Sequence, residues 1–472
     1  MIQRSREGPG AKRPALRIAL LAGAMLAAAG GASAQSAAGP VPKPADDSLT
    51  THGVTLYGIV DAGLQYDTHS APFNDYHPAT STNLVAKDSK SSVLGATSSN
   101  LSQSRVGLQG IEALGAGDWY GIFRLETFFN PTTGNISDAL KSMVQNNGRA
   151  LANQTTNLDS SIAGQPFQQA FVGVSSKTFG SITFGRQNTV LADGFSKYDP
   201  QGGSQAFSLV GMSGTYAGAG DSEDRRLDNS LKYVEVIGPA HFGAEYKFNG
   251  AHGGGSNSAV QVAVGAEYLG ASLDAYYSRQ WSAISASTLS AAQVATLPAG
   301  FSVADSLAST ISDNITFAIM GLYNFGAAKL YGAYEHIQYS NPSTPLEAGF
   351  DDIGGYKLAY VNNTAFPNDK KLDVYWVGGK YTLMSKLDLT AAYYGIHQNS
   401  YGIGANAGCT TNKAGTCSGT ENVYSFSADF RFTKRFDIYA GAMYSSVNDG
   451  LSNGFIFNTN NLNPTIGFRF RF

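Results

Sequence analysis

The end of the sequence alternates bulky apolar residues with small or basic ones. Residues 463–472 read NPTIGFRFRF. Because successive side chains of a β-strand point to opposite faces, the aromatic rings would share one face and the arginines the other. The same alternation recurs from Val54 onward, always beside turn signals. The pattern predicts a closed barrel with an apolar outer face toward lipid and a polar inner face toward water.

The first 34 residues have the layout of a secretory signal peptide. A basic region with five Lys or Arg residues precedes an apolar stretch at 18–29, and Ala32-Ser33-Ala34 forms a small-residue cleavage site before Gln35. The apolar stretch is shorter than the roughly 20 residues of a spanning helix, although a retained anchor is the alternative. We therefore predict a signal peptide at 1–34, a disordered lead at 35–52, rich in Ala, Ser, Pro and Asp, and a barrel at 53–472.

Charge and composition restrict the class of protein further. Removing the signal peptide leaves 27 basic and 34 acidic residues, a net charge of −7, so nucleic acid is not an expected partner. Only 14% of residues are charged, while Phe and Tyr number 26 and 25. Low charge, many aromatics and no later apolar run of helix-spanning length indicate an all-β outer-membrane barrel.

The alternating segments number about sixteen, an even count. Their connections alternate between tight turns and long loops, as on the two rims of an outer-membrane barrel. A soluble β-helix or propeller is the alternative, but no repeat of fixed period is present. At this width side chains cannot fill the barrel, so we expect a water-filled channel. The predicted strands lie near 54–66, 104–111, 119–126, 167–175, 180–187, 225–236, 240–249, 259–268, 271–279, 314–325, 328–338, 371–383, 386–395, 421–432, 436–445 and 463–472.

Two cysteines occur in the whole sequence, Cys409 and Cys417. An exported chain meets an oxidising compartment, so we expect them to form a disulfide that closes a small loop. A metal site is the alternative, but no His lies nearby in sequence to complete one. We expect no cofactor.

Several stretches resemble the sixteen-stranded general porins of Gram-negative outer membranes, particularly the anion-favouring betaproteobacterial type. The resemblance covers essentially the whole mature chain; each motif is loose, but their order and spacing are specific. The matching stretches are VTLYG at 54–58, SRVGLQG at 104–110 with Glu112, FRLE at 123–126, QAFVG at 169–173, FGSITFGRQ at 179–187, NSLKY at 229–233 and GFRFRF at 467–472.

The resemblance implies a homotrimer in outer-membrane lipid with a loop, at about 188–224, folded into the lumen as a constriction. It also implies that Phe472 helps the barrel-assembly machinery to recognise the unfolded chain. Two departures from the family are the long segments 67–100 and 280–313, rich in Ser and Ala, which affect the expected outer vestibule more than the channel.

Strand parity places Arg105, Arg124 and Arg226 on the inner face. By resemblance, Arg105, Arg186 and Arg226 match the family's basic cluster opposite the constriction. Arg186 shares parity with the outward-facing Phe184, so a bulge near Gly185 would be needed to re-aim it. We call these four arginines the basic cluster. The alternative for each is a structural ion pair with a luminal acid such as Asp61 or Glu126.

Acidic residues of the constriction are expected to oppose the basic cluster. Asp193 and Asp199 are the first candidates, and Asp221, Glu223 and Asp224 would lie where the loop returns to the barrel. Ordinary solvated loop carboxylates are the alternative. Three glycines of this segment would let it fold back.

The sequence thus predicts a general diffusion porin for small hydrophilic solutes and ions, weakly selective for anions. We expect no enzymatic activity, because the seven His residues fall mostly in loops and no Gly-x-Ser-x-Gly elbow is present. The alternatives are a substrate-specific porin for small organic anions and a plugged structural or adhesin barrel.

Overall fold

The alternating segments form β-strands in a computed structural model, which describes residues 49–70, 91–136, 139–150, 166–212, 225–248 and 257–472. The signal peptide and nearly all of the predicted lead lie outside this range. The strands of the described residues are β1 Thr50–Thr51, β2 Val54–Ser70, β3 Ser91–Ser98, β4 Arg105–Ala113, β5 Trp119–Phe128, β6 Phe167–Ser176, β7 Gly180–Asn188, β8 Arg226–Ile237, β9 Ala240–Lys247, β10 Ala259–Tyr268, β11 Ala271–Ser287, β12 Ser306–Phe325, β13 Ala328–Ser340, β14 Phe350–Ile353, β15 Tyr356–Asn362, β16 Lys370–Leu383, β17 Leu387–Gln398, β18 Gly419–Arg431, β19 Phe436–Asp449, β20 Asn460–Leu462 and β21 Thr465–Arg471.

Sixteen of these strands form one closed antiparallel barrel, which confirms the predicted fold class. Closure occurs between the first and last barrel strands, where Val60 on β2 lies opposite Phe470 on β21 and Leu64 lies opposite Ile466. Of the other five strands, β3 continues the line of β4, and β1, β14, β15 and β20 are short additions at the rims. Seven connections at one rim have at most five residues, and the long loops lie at the other. This asymmetry is typical of outer-membrane barrels.

The predicted loop at 67–100 is partly wrong. β2 continues to Ser70. β4 pairs with the first half of β2, and β3 pairs with the second half. β3 and β4 therefore act as one barrel strand with an inward detour at 99–104, where Ser99 has a left-handed φ of 60°. A Ser-rich stretch gives little alternation, so the sequence pattern missed this pairing.

Three further boundaries differ from the sequence-based predictions. Thr50 and Thr51, assigned to the disordered lead, pair with the start of β2. The predicted loop at 280–313 is shorter, because β11 runs to Ser287 and β12 begins at Ser306. The start of β12 pairs in parallel with β15, which belongs to a β14–β15 hairpin at the long-loop rim.

Helices are few. They are α1 Ala139–Asn146, α2 Val190–Tyr198, α3 Leu209–Met212 and α4 Ala291–Ala295. None of the helices in the described residues is long and apolar enough to cross a membrane. α1 contributes Met143 to a small apolar core with Leu307 and Leu358, so a loop between β5 and β6 packs on the extension of β12.

The outer surface of the barrel is apolar, as the strand parity predicts. On β21 Phe468 is 54% exposed, while the alternate residue Arg469 is 1% exposed and lies inside. Arg469 pairs with Asp437 and Asp429 on the neighbouring strands, with N–O distances of 2.9 Å to each. One face of the terminal strand thus belongs to the apolar outer surface that lipid would cover, and the other faces an interior in which the charges form ion pairs.

Cys409 and Cys417 are joined by a disulfide, with their Cα atoms 5.1 Å apart. The bond closes part of the loop between β17 and β18. Gln398 at the end of β17 donates to the carbonyl of Cys417 at 2.7 Å, which ties this loop to the barrel rim.

Phe472 closes the barrel against the first strand. Its backbone nitrogen donates to the carbonyl of Gly58 at 3.1 Å, and its carbonyl accepts from the nitrogen of Gly58 at 2.9 Å. Its ring lies over Gly58, so that a Cβ placed there would be 2.4 Å from the ring carbon Cζ. Only glycine leaves room for the ring at this position.

We therefore predict that Gly58→Val destabilises the refolded barrel by about 1–3 kcal/mol, because overpacking must displace the ring of Phe472. Gly121→Val on β5 is the matched control, since a Cβ there meets nothing closer than 3.4 Å. The measurement is the guanidinium midpoint of protein refolded in detergent micelles. Equal midpoints for the two variants would show that the terminal ring does not occupy this place.

Candidate functional site

The segment 189–225 connects β7 and β8, and we call it the constriction loop. Its residues 189–212 fold into the barrel. Its helix α2 begins after Thr189, whose hydroxyl accepts a hydrogen bond from the nitrogen of Ala192 at 3.0 Å. The helix lies against β9–β13. Leu191 and Phe195 are almost fully buried. Because the helix lies inside the barrel, its apolar face must be covered by the inner wall.

The inner wall is apolar where the loop covers it. On β12 Phe317 and Ile319 are exposed on the outside, while Ala318 and Met320 face inward and have no exposed surface. The wall residues buried with the loop are Ala263, Tyr276, Ala318, Met320, Ile337, Tyr339, Leu372, Val374, Trp376, Ala392, Tyr394, Ile396, Val423 and Met443. All of them belong to β10–β13 and β16–β19.

Sequence reasoning missed this apolar half of the lumen, although a signal for it exists. A strand covered on both faces has a nearly continuous apolar sequence rather than an alternating one. Residues 315–322 of β12 read ITFAIMGL, and residues 374–377 of β16 read VYWV. Continuous runs of this kind in a barrel otherwise built of alternating strands indicate a wall segment covered from inside.

Three hydrogen bonds attach the end of α2 to the wall. The hydroxyl of Tyr198 donates to Asp274 at 2.5 Å, and the indole of Trp376 donates to the carbonyl of Tyr198 at 3.0 Å. The hydroxyl of Tyr394 donates to Asp199 at 2.5 Å. Burial raises the pKa of Asp199, while the Tyr394 hydroxyl opposes this rise. These bonds supply partners for polar groups that would otherwise be buried without any.

The two predicted loop acids both lie in the constriction loop, and both are held by other groups. Asp193 forms an ion pair with Lys232 on β8 at 2.5 Å and accepts from the Asn188 amide at 3.2 Å. Asp199 is 2% exposed and also accepts from the nitrogen of Gly203 at 2.6 Å. Their charges serve to fasten the loop. The other three acids, Asp221, Glu223 and Asp224, lie outside the described residues.

Beyond Asp199 the loop continues across β18 and β19 to the seam of the barrel. Gln201 bonds the hydroxyls of Ser425 and Ser427 at 2.9 and 2.7 Å. The nitrogen of Ala206 donates to the carbonyl of Asn100 at 2.8 Å, in the detour between β3 and β4. Phe207 then packs on Tyr439, with ring centroids 6.2 Å apart. The detour therefore forms the contact surface for the end of the loop.

The opposite half of the lumen, formed by β4–β8, carries the predicted arginines. Arg105 lies 3.7 Å from Glu126, and that carboxylate interacts electrostatically with Arg124 and Arg226 as well. Arg124 is 4% exposed and donates to Gln109 at 2.8 Å. The structure thus brings three members of the basic cluster around one acid.

Aromatic rings fix the orientation of two of these arginines. Arg226 lies over the ring of Phe128, with 4.7 Å between its guanidinium carbon and the ring centroid. Arg124 lies 5.6 Å from the ring centroid of Tyr57, whose hydroxyl donates to Glu126 at 2.9 Å. Stacking of a guanidinium on a ring reduces its conformational freedom without neutralising its charge.

Arg186 sits beside the bulge that its parity requires. The register between β7 and β8 shifts between Gly185 and Gln187. The guanidinium of Arg186 forms an ion pair with Asp228 at 2.5 Å. The other three members of the basic cluster surround Glu126. Arg186 contacts Asp228 instead, so the charge of Arg186 is compensated by that acid.

A closed sixteen-strand barrel with an apolar outer surface and a loop folded into its lumen defines a transmembrane β-barrel pore protein. A family model for the Gram-negative porins matches residues 19–450. The chain belongs to the Gram-negative porin family, which confirms the resemblance seen in the sequence and places the protein in the outer membrane.

Individual relatives are distant. An outer membrane porin protein of Bordetella pertussis is 27% identical over 197 residues, 42% of this chain and 43% of that protein. The match thus spans less than half the length of this relative. An anion-selective porin from Comamonas acidovorans is 18% identical, with a TM-score of 0.57 over 89% of this chain and 99% of that one. A trimer form of OmpT from Vibrio cholerae is 17% identical, with a TM-score of 0.53 over the same shares. These two structures show the shared fold.

We predict that Tyr394→Phe loosens the constriction loop, because the buried Asp199 carboxylate loses a charge-assisted hydrogen bond worth about 1.5–3 kcal/mol. The neighbouring Tyr393→Phe is the control, since that hydroxyl bonds Asn422 at 2.8 Å instead. Open-channel current noise in planar bilayers should rise for Tyr394→Phe only. The same noise for both variants would show that this bond does not hold the loop.

Proposed function

We propose that the chain forms a water-filled diffusion channel for small hydrophilic solutes and ions, with a preference for anions, and that it performs no catalysis. One observation carries this proposal. The constriction loop packs on the apolar half of the lumen wall, formed by β10–β13 and β16–β19, and leaves the polar half with the arginines as the side along which solutes pass.

The charges on that side support the anion preference. Arg105, Arg124 and Arg226 all interact electrostatically with Glu126, so that basic groups outnumber the acid they share. Two unit charges about 8 Å apart interact by roughly 0.5 kcal/mol in water and roughly 2 kcal/mol at an effective dielectric constant of 20. Each arginine in excess of the acid therefore changes the local ion occupancy a few-fold. The acidic net charge of the chain matters less, because a passage with low-dielectric walls is governed by its own residues.

The assembly follows from the family membership. We propose a homotrimer in outer-membrane lipid, supported by the trimer form of the related OmpT fold. The anion selectivity stated for the Comamonas acidovorans porin supports the same preference here. We further propose that the terminal Phe472 serves as a recognition signal for the barrel-assembly machinery before its ring settles on Gly58.

A substrate-specific porin for small organic anions is the second candidate. The observation that favours it is the fixed orientation of Arg124 and Arg226 on aromatic rings, since preorganised guanidinium groups suit carboxylates. A specific site would saturate, so conductance carried by an organic anion would level off with concentration. A general channel would instead give conductance proportional to concentration. A plugged barrel would give negligible conductance.

We predict that the double variant Arg105→Glu/Arg226→Glu shifts the reversal potential toward cations or inverts it. The two substitutions change the fixed luminal charge by four units beside Glu126. The measurement is made in a KCl gradient at low ionic strength, where screening is weakest.

Lys413→Glu in the exposed disulfide loop is the charge-change control and should leave the potential unchanged. A wild-type channel that favours cations, or a double variant with the wild-type potential, would contradict the role of these arginines.

A further inference from the structure

Arg225 lies at the end of the constriction loop, one residue before β8, and its backbone closes the base of the loop. Its carbonyl accepts a hydrogen bond from the nitrogen of Thr189 at 3.1 Å. The first and last residues of the loop are thereby joined. The position of the Arg225 backbone is fixed by the barrel rather than by the inner part of the loop.

The side chain of Arg225 extends over the loop itself. Its Nη2 atom lies 3.8 Å from the position that a Cβ would take at Gly203, and the Oγ atom of Ser196 lies 4.0 Å from the same position. The guanidinium therefore sits between the last part of α2 and the turn at Gly202-Gly203.

The turn at Gly202-Gly203 borders open space. Both glycines have left-handed backbones, with φ of 65° and 73°, and a Cβ at Gly202 would have no atom within 4 Å. The flanking residues Gln201 and Ser204 are buried and bond the wall and the carbonyl of Asn100. The residues that flank the turn thus bond the barrel, while Gly202 borders open space next to the glycine that Arg225 approaches.

The charge of Arg225 is not compensated by the described residues. Its Nε atom is enclosed and makes no hydrogen bond, and no described acid forms an ion pair with it. The two loop acids in the described range are directed elsewhere, Asp193 to Lys232 and Asp199 to Tyr394. The neighbouring Lys197 is paired with Glu267 at 2.6 Å.

We propose that Arg225 is a selectivity-determining residue whose guanidinium places a fixed positive charge over the constriction loop, beside the turn at Gly202-Gly203. This inference rests on the proposed channel function. It adds a positive charge to a loop whose two described acids, Asp193 and Asp199, are held by other groups. A permeating anion then meets a positive potential that does not fall off toward the loop.

The test is the chloride-to-potassium permeability ratio of the purified full chain in planar bilayers under a KCl gradient. Arg225→Gln should lower the ratio about two- to threefold, by the same Coulombic estimate that applies to a single charge in a narrow passage. Arg225→Lys should retain most of the ratio, because charge rather than hydrogen bonding is required. Lys413→Gln removes one charge from an exposed loop and should leave the ratio unchanged.

Ser196→Asp provides a second route that leaves Arg225 in place. The new carboxylate would lie beside the guanidinium and lower the ratio by a similar factor, so the proposal stays testable if Arg225→Gln does not fold. A wild-type ratio in both Arg225→Gln and Ser196→Asp would overturn the role of Arg225. An equal loss in Arg225→Lys and Arg225→Gln would overturn it as well.

Failure of this inference can be told apart from failure of the proposed function. If Arg105→Glu/Arg226→Glu shifts the selectivity while Arg225→Gln does not, the wall alone sets the preference and only the role of Arg225 is wrong. If the wild-type channel shows no preference for anions, the proposed selectivity is wrong and the role of Arg225 fails with it.

Discussion

Burial of the constriction loop against an apolar half of the lumen wall is the interaction on which the pore depends. The lumen of a wide barrel is aqueous, so apolar residues inside it gain by mutual burial as they do in a soluble core. Leu191, Phe195 and Tyr198 are nearly inaccessible, and each large apolar side chain so buried contributes about 1.5–3 kcal/mol. Hydrogen bonds from Trp376 and Tyr394 then fix the register of the loop on the wall.

This packing determines where the charges of the lumen can act. The two acids of the loop that the structure describes both fasten it, Asp193 to Lys232 and Asp199 to Tyr394. The polar half of the wall keeps its arginines around Glu126. Because the loop packs on the apolar half of the wall, the arginines and Glu126 lie together on the opposite, polar half. In the function proposed above, the selectivity of the channel follows from the placement of a few charges rather than from the net charge of the chain.

The barrel could be predicted from sequence because lipid on the outside and water on the inside impose strict alternation on each strand. The terminal strand at 463–472 and the inward parity of Arg105 followed from that period alone. The detour between β3 and β4 could not be predicted, because a Ser-rich stretch has no apolar period. The partners of Asp193 and Asp199, Lys232 on β8 and Tyr394 on β17, could not be predicted because they are distant in sequence. The apolar wall was missed although β12 signals it with a continuous run.

A designed disulfide between loop and wall tests the central claim most directly. A Cβ at Gly243 on β9 would lie 3.6 Å from the Cβ of Val190 at the start of α2, within the range for a disulfide. Val190→Cys/Gly243→Cys should therefore cross-link spontaneously in the exported protein, shown by mass spectrometry, and leave single-channel conductance and the permeability ratio unchanged. Free thiols at both positions, or a cross-linked channel with altered conductance, would contradict a helix α2 that packs against the inner face of β9–β13.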